Sequence, residues 1–271
     1  MRIDVRGSLS SGQAFLWEED GGMWHVINGQ DVLRIRGDGR TASHLGGRPD
    51  FFRRRDDMAR ILGSISRDRD VARAVRLSPG LRVLDQDPFQ CLVTFIISAN
   101  SNMPRIRSCL SRISARMGGR AEVGGREYRT FPTPARLARA SPRDIAACGA
   151  GYRSPYVVAA ARMVERGELD LARLRRAGYA EARAALLAVP GVGSKVADCV
   201  MLFSLCKLEA FPIDRWMARI LGGRFGLGRG SLTPRQYGEA HGRLAAHFGP
   251  YAGYAQQFLF KAAGDARGAS W

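Results

Sequence analysis

The sequence predicts an α+β protein in which an antiparallel β-sheet module precedes a larger helical module. Short apolar–polar alternations broken by glycine turns fill about the first 50 residues. Apolar residues then recur with helical spacing from Pro88 onward. The 271 residues are enough to bury a sizeable core. We expect a sheet domain with flanking helices over residues 1–80, and an all-helical domain over residues 81–271 whose two lobes meet at a site.

Five strands are predicted in the N-terminal module. The turn signals Gly21-Gly22, Asn28-Gly29 and Gly37-Asp38-Gly39 separate several of them, and such dipeptides favour tight hairpins between antiparallel neighbours. The predicted strands are Arg2–Val5, Ala14–Glu18, Met23–Ile27, Val32–Arg36 and Ala42–Leu45.

Helices are predicted through the rest of the chain. Several begin at a proline, which suits the first helical turn because that turn needs no amide donor. The predicted helices are Phe51–Ile65, Asp68–Leu77, Phe89–Ser98, Pro104–Met117, Pro134–Ala140, Pro142–Cys148, Tyr152–Arg166, Tyr179–Val189, Ser194–Leu205, Arg215–Phe225, Arg235–Phe248 and Tyr251–Ala263.

The formal net charge of +17 predicts a polyanionic partner. Nucleic acid is favoured, because basic side chains neutralise phosphates and release counterions. An anionic membrane surface is the competing partner, but no apolar run approaches the ~20 residues of a membrane span. The N-terminus carries no secretory signal pattern, so an intracellular protein located with the DNA is expected.

The five cysteines predict core packing in a reducing compartment. They lie in apolar helical surroundings, with neither a C-x2-C pair nor a Cys/His cluster at ligand spacing. No zinc or iron–sulfur site is indicated, and no metal or cofactor is expected. The cysteines are Cys91, Cys109, Cys148, Cys199 and Cys206.

The segment Leu187-Ala-Val-Pro-Gly-Val-Gly-Ser-Lys-Val-Ala-Asp-Cys199 predicts a helix, a tight turn and a second helix. Gly191 and Gly193 allow close backbone approach, and the second helix presents free N–H groups that suit a phosphate. Lys195 stands in its first turn and is one of only three lysines among 42 basic residues. Lysine can lose its proton and attack an electrophile, whereas arginine cannot. Asp214 follows in Phe211-Pro-Ile-Asp214, so a carboxylate can fold back towards the amine.

Four further motifs accompany this turn in a fixed order. They are Ser11-Gly-Gln-Ala-Phe-Leu-Trp17, Cys91-Leu-Val-Thr-Phe-Ile-Ile-Ser-Ala-Asn-Ser-Asn-Met-Pro-Arg-Ile106, Gly151-Tyr-Arg153 and Gly249-Pro-Tyr-Ala-Gly-Tyr-Ala-Gln-Gln-Phe-Leu-Phe260. With PGVGSKVADC and FPID between them, the chain resembles the 8-oxoguanine DNA glycosylases of the helix–hairpin–helix superfamily over nearly its whole length.

The resemblance implies a role for each matching residue. Lys195 would be the nucleophile and Asp214 the catalytic carboxylate. Gly12 would offer its carbonyl to the flipped base, Cys199 and Phe260 would stack on it, and Gln256 would bind its Watson–Crick edge. The residues expected to fill the vacated stack, contact the opposite cytosine or bind the DNA backbone are Asn100, Arg105, Tyr152, Arg153, Gly191 and Gly193.

The activity implied is a bifunctional glycosylase/AP lyase that excises 8-oxoguanine opposite cytosine from double-stranded DNA, acting as a monomer. Spacing is consistent with these roles, because Lys195 and Cys199 lie four residues apart on one helix, as do Gln256 and Phe260. Two other functions stay open: a monofunctional alkylated-base glycosylase that uses water activated by Asp214, and a non-catalytic DNA-binding module.

Structural interpretations of the same residues also stay open. Lys195 alone could bind phosphate, and Asp214 could simply cap a helix. Cys199, Gln256 and Phe260 could be ordinary core or surface positions. Tyr152 and Arg153 could be an ordinary helix start and Asn100 a buried cap. The sequence also departs from the family pattern, in positions that bear on contacts to the lesion strand: Leu16, Ser101, Pro104 and Trp216.

Overall fold

The computed structural model describes residues 2–47, 49–227 and 232–266. An antiparallel sheet of order β1-β2-β3-β4 lies near the N-terminus, and a mostly helical region follows it, so the predicted α+β fold class is confirmed. The strands are Trp17–Asp20 (β1), Met23–Asn28 (β2), Asp31–Arg36 (β3) and Thr41–Ser43 (β4), with a separate hairpin formed by Arg120–Val123 (β5) and Arg126–Arg129 (β6).

The helices agree with most of the predicted segments, with ends that differ by a few residues. A π-helical turn at Ala146–Ala150 and 3-10 turns at Gly151–Arg153 and Gly249–Tyr251 join some of them. The α-helices are Val5–Leu9 (α1), Met58–Ile65 (α2), Arg69–Leu77 (α3), Pro88–Ser98 (α4), Met103–Met117 (α5), Pro134–Ala138 (α6), Pro142–Ile145 (α7), Ser154–Glu165 (α8), Leu171–Arg176 (α9), Tyr179–Leu187 (α10), Ser194–Ser204 (α11), Arg215–Phe225 (α12), Pro234–Phe248 (α13) and Ala252–Asp265 (α14).

The predicted first strand, Arg2–Val5, is wrong, because the chain enters α1 at Val5. Asp4 caps this helix by accepting a hydrogen bond from the Gly7 amide at 2.8 Å. The Asp4 carboxylate accepts a hydrogen bond from a backbone amide of the first helical turn that would otherwise lack a partner. This capping outweighs the strand preference of the neighbouring β-branched residues. The helix predicted from Phe51 begins only at Met58, because the Phe51 and Phe52 side chains are buried beneath the sheet.

The prediction of an all-helical C-terminal module is wrong at the β5–β6 hairpin. Gly124 and Gly125 form its turn with positive φ, and each strand has only four residues, too few for a clear alternation. Ala121, Val123 and Tyr128 pack against Val32 of β3, so the hairpin covers part of the outer face of the sheet. The short helix α9 also has no predicted counterpart. The domain division at residue 80 stays a prediction.

Helices α4 and α11 form the centre of the helical region and position the candidate site. Every side chain of α4 from Phe89 to Ile97 is buried. Phe95 of α4 stacks on Phe203 of α11, with ring centroids 5.5 Å apart. A hydrogen bond from Lys195 to Ser98 joins the start of α11 to the end of α4. No helix within the described ranges is long and apolar enough to cross a membrane.

Candidate active site

Lys195 lies in the first turn of α11, where its side chain is half-buried and held in one direction. Gly193 is the N-cap of this helix. The Lys195 ammonium donates a hydrogen bond to Ser98 Oγ at 3.0 Å and lies 5.1 Å from the centroid of the Phe95 ring. The amine is therefore held between the end of α4 and the start of α11.

Asp214 is the N-cap of α12 and is also half-buried. Its carboxylate accepts a hydrogen bond from the Met217 amide at 2.7 Å, and Pro212 stiffens the chain before it. The predicted capping role is confirmed. Capping uses one carboxylate oxygen, and Asp214 still lines the cavity that Lys195 lines. Cap and catalyst are therefore compatible at this position.

The predicted pocket residues meet at one small cavity of about 40 Å³. All six residues predicted for catalysis or base binding line it, and Ser11, Phe95, Phe203, Pro212 and Gln257 complete its wall. The six are Gly12, Lys195, Cys199, Asp214, Gln256 and Phe260. Such a volume can hold ordered water but not a purine. The cavity must widen before a base can enter.

Cys199 is 3% exposed and forms part of the pocket wall one helical turn after Lys195. Burial raises the pKa of its thiol to about 12, against a smaller opposing effect of the Lys195 ammonium. The group therefore stays a neutral thiol at physiological pH. A neutral sulfur is a polarisable surface for stacking.

Gln256 and Phe260 lie on α14, one helical turn apart. Gln256 is 4% exposed, and its Oε1 atom is buried without a hydrogen-bond partner among the described residues. A buried amide oxygen without a protein partner can accept a hydrogen bond from a group that enters the cavity. Phe260 is half-buried and faces Gly12 across the cavity.

Gly12 is required at its position for two reasons. Its φ of +77° is rarely adopted by other residues, and a Cβ there would lie only 3.1 Å from Phe260 Cε1. The turn that carries it is fixed on both sides. The side-chain amide of Gln257 donates to the Ser11 carbonyl at 2.7 Å, and the side-chain amide of Gln13 donates to Ser11 Oγ at 2.9 Å.

Gln13 and Gln257 are supporting residues that the sequence analysis missed. Gln13 is fully buried, donates to the Arg82 carbonyl and accepts from the Leu84 amide, each at 2.9 Å. It therefore joins the Gly12 turn to the segment before α4. The available signal was a long amide side chain inside an apolar stretch, which must find partners when buried.

Three of the residues predicted for the opposite base, Asn100, Tyr152 and Arg153, form a cluster. The Asn100 side-chain amide donates to Tyr152 Oη at 3.2 Å, and its backbone has a positive φ of 49°. Arg153 braces this turn by donating to the carbonyls of Ala99 at 2.5 Å and Asn100 at 3.0 Å. Its guanidinium also lies 4.5 Å from the Tyr152 ring, which is 58% exposed.

Arg105 is exposed on α5, and its side chain has no hydrogen bond or ion pair within the described ranges. Gly191 has φ +80° and lies so close to the Tyr156 side chain that a Cβ there would clash. Gly193 faces open space at the start of α11. The turn thus leaves the first amides of α11 accessible from outside.

Asp198, next to Cys199 on α11, is a further buried carboxylate that the sequence analysis missed. It is 0% exposed, and burial raises its pKa to about 7, while bonds from Tyr237 and Tyr179 and the charge of Arg183 lower it. A charged residue among the apolar positions of α11 was the signal. Across the described residues, no cluster of three or more His, Cys, Asp or Glu side chains is arranged to hold a metal ion.

Curated relatives resemble this chain over most of its length. The N-glycosylase/DNA lyase OGG1 of Arabidopsis thaliana is 31% identical over 274 residues, covering 93% of this chain and 75% of that protein. The probable N-glycosylase/DNA lyase of Methanothermobacter thermautotrophicus is 34% identical over 213 residues, covering 71% and 66%. No protein-family model matches the chain.

Solved structures agree with these relatives. The 8-oxoguanine glycosylase/lyase of Clostridium acetobutylicum, in complex with double-stranded DNA containing cytosine opposite 8-oxoG, is 30% identical with a TM-score of 0.87, covering 98% of this chain and 93% of that one. The 3-methyladenine DNA-glycosylase of Archaeoglobus fulgidus is 18% identical with a TM-score of 0.66, which shows a shared fold alone. This chain therefore belongs to the OGG1-type N-glycosylase/DNA lyases of the helix–hairpin–helix superfamily, and is a DNA glycosylase/lyase.

Proposed function

We propose that this protein excises 8-oxoguanine opposite cytosine from double-stranded DNA, as a monomer, through a lysine Schiff base. The observation that carries the proposal is the shared cavity: Lys195 and Asp214 line the same wall as the buried, unpaired Gln256 oxygen. An amine, a carboxylate and an unsatisfied acceptor suit a flipped base attached to a sugar.

The proposed reaction begins when Lys195 Nζ, as the neutral amine, attacks C1′ of the damaged nucleoside. The C1′–N9 bond breaks, and its electron pair leaves with the base, which takes up a proton. Positive charge develops on the sugar during this step, and the Asp214 carboxylate stabilises it. Ring opening then gives the Schiff base, and loss of a proton from C2′ expels the 3′ phosphate by β-elimination.

Recognition of the lesion would rest on the Gly12 carbonyl and on the two stacking groups. Oxidation converts guanine N7 from an acceptor into an N–H donor, which can bond a fixed carbonyl that would repel unmodified guanine. Sites that depend on one buried hydrogen bond discriminate strongly, because the wrong partner leaves that group unpaired. Entry of the base requires Phe260 to move away from Gly12, after which the ring and Cys199 enclose the base.

Borohydride trapping tests the covalent step. With an 8-oxoguanine:cytosine duplex and borohydride, the wild type should form a covalent adduct, because reduction fixes the Schiff base. Lys195→Gln should bind the DNA and form no adduct, whereas Lys261→Gln, at a lysine paired with Asp265, should trap normally.

An adduct formed by Lys195→Gln would remove Lys195 from the nucleophile role. Excision of alkylated bases with no trapping by the wild type would instead support a monofunctional enzyme. DNA binding without excision of any base would support a non-catalytic module.

A further inference from the structure

Asp198 joins α11, the helix that carries Lys195, to the neighbouring helices α10 and α13. Tyr237 of α13 donates to Asp198 Oδ2 at 2.7 Å, and Tyr179 of α10 donates to Oδ1 at 3.1 Å. Arg183 Nε lies 3.7 Å from the same carboxylate, and His241 Nε2 lies 4.0 Å away. A buried carboxylate is tolerated only with such partners, so this cluster holds α11 one turn after Lys195.

The Tyr237 hydroxyl also bonds the backbone next to Asp214, which the Tyr179 hydroxyl does not. It accepts a hydrogen bond from the Ile213 amide at 3.0 Å, and Ile213 immediately precedes Asp214. A hydroxyl has one donor and two acceptor positions, so bonding Asp198 leaves room for Ile213. Tyr179 instead has His241 Nε2 as its other partner, at 2.9 Å. Both tyrosines thus donate to the same carboxylate, but only Tyr237 also accepts a hydrogen bond from the backbone next to Asp214.

We propose that Tyr237 is a positioning residue that sets the separation of Lys195 and Asp214, because its hydroxyl joins the helix of one to the backbone of the other. The proposal rests on the catalytic roles given above. Two hydrogen bonds fix Asp214: its carboxylate accepts from the Met217 backbone amide on its C-terminal side, and the preceding Ile213 amide donates to the Tyr237 hydroxyl. Tyr237 and Ile213 are each 4% exposed, so water cannot easily replace the lost bonds.

The matched pair Tyr237→Phe and Tyr179→Phe tests this role. Each variant removes one tyrosine hydroxyl from Asp198, so both should lower the melting temperature. Misplacing a catalytic group by ~1 Å costs about 100-fold, so Tyr237→Phe should slow single-turnover excision of 8-oxoguanine about 10- to 100-fold. Tyr179→Phe should stay within about threefold of the wild type, since it loses only a supporting hydrogen bond.

Two further measurements separate positioning from a general structural effect. Affinity for the lesion duplex should be unchanged in Tyr237→Phe. Borohydride trapping on a duplex with a preformed abasic site should also keep its wild-type rate, because that reaction needs the Lys195 amine but breaks no glycosidic bond. If Tyr237→Phe does not fold, Asp198→Ala removes the acceptor of the Tyr237 hydroxyl from α11 and should give the same pattern.

Equal slowing of excision in both tyrosine variants would overturn the proposal, as would slowing of abasic-site trapping in parallel with excision. Asp198→Ala with wild-type excision would overturn it too. A wild type that excises no 8-oxoguanine would instead contradict the proposed function, so the two failures can be told apart.

Discussion

The pocket, lined by Lys195, Asp214 and Gln256, and the edge, the surface formed by Asn100, Arg105 and Tyr152, differ in how deeply their side chains are buried. In the pocket, Cys199 and Gln256 are 3% and 4% exposed, and the Gly12 turn is held by two buried glutamines. At the edge, Tyr152 is 58% exposed and Arg105 extends into solvent. The pocket side chains named here are thus buried within the protein, whereas Tyr152 and Arg105 at the edge remain exposed.

Because of this difference, we expect substitutions in the two regions to impair different properties of the protein. Groups that act on developing charge must be held in advance, because reorganising them during the reaction costs free energy. Groups that contact an exposed base gain their order from that base and pay the cost on binding. We therefore expect pocket substitutions to change excision of the lesion, and edge substitutions to change its dependence on the opposite base.

The largest effect is expected at Asp214. Asp214→Asn keeps the helix cap and removes the charge, so folding and DNA binding should be preserved. Excision should slow by on the order of 10²–10⁴, the range for loss of a positioned charged group. Single-turnover excision and a melting curve measure the two properties. Near-normal excision would mean that Asp214 is only a cap and that the pocket is not arranged for this chemistry.

A smaller effect is expected at Phe260. Phe260→Ala removes one stacking surface and should cost about 1–3 kcal/mol, the usual value of a base–aromatic stack. Affinity for lesion duplex should fall far more than affinity for undamaged duplex, because in the proposed function only the damaged base enters the pocket. Titration of both duplexes at one salt concentration measures the difference. Equal losses for both would place Phe260 in the core rather than against the base.

A further effect, on stability and not on excision, is expected at Asp68. Arg224 at the end of α12 pairs with Asp68 at 2.6 Å, and His247 Nε2 lies 2.8 Å from the same carboxylate. Burial alone would raise the pKa of Asp68, but hydrogen bonds from Arg224, His247 and the Val71 amide lower it to about 2. A depressed carboxyl pKa stabilises the folded state above the unfolded pKa near 4, and this contribution is lost as pH falls from ~4 to ~2.

Asp68→Asn should therefore be less stable than the wild type by about 2 kcal/mol at neutral pH, and the difference should shrink towards zero near pH ~2. Urea unfolding at several pH values measures it. A difference that does not change with pH would mean that the charge of Asp68 contributes nothing to holding α12.

The sequence predicted which residues meet at the cavity because motif order and helical spacing determine their relative positions. Lys195 and Cys199, and Gln256 and Phe260, share faces at i,i+4, and the structure brings both pairs to one cavity. Supports such as Tyr237 and Gln13 could not be predicted, since their partners lie far along the chain or are backbone atoms. The Arg2–Val5 strand failed because a local cap outweighed strand preference.

The central claim, that pocket and edge do separable work, is tested most directly by excision of 8-oxoguanine placed opposite each of the four bases. Single-turnover rates for wild type, Phe260→Ala and Arg105→Ala are needed. Phe260→Ala should slow all four pairs by a similar factor, whereas Arg105→Ala should slow excision opposite cytosine most and flatten the differences between pairs. Equal slowing of all four pairs by Arg105→Ala, or a cytosine-specific loss in Phe260→Ala, would contradict the account.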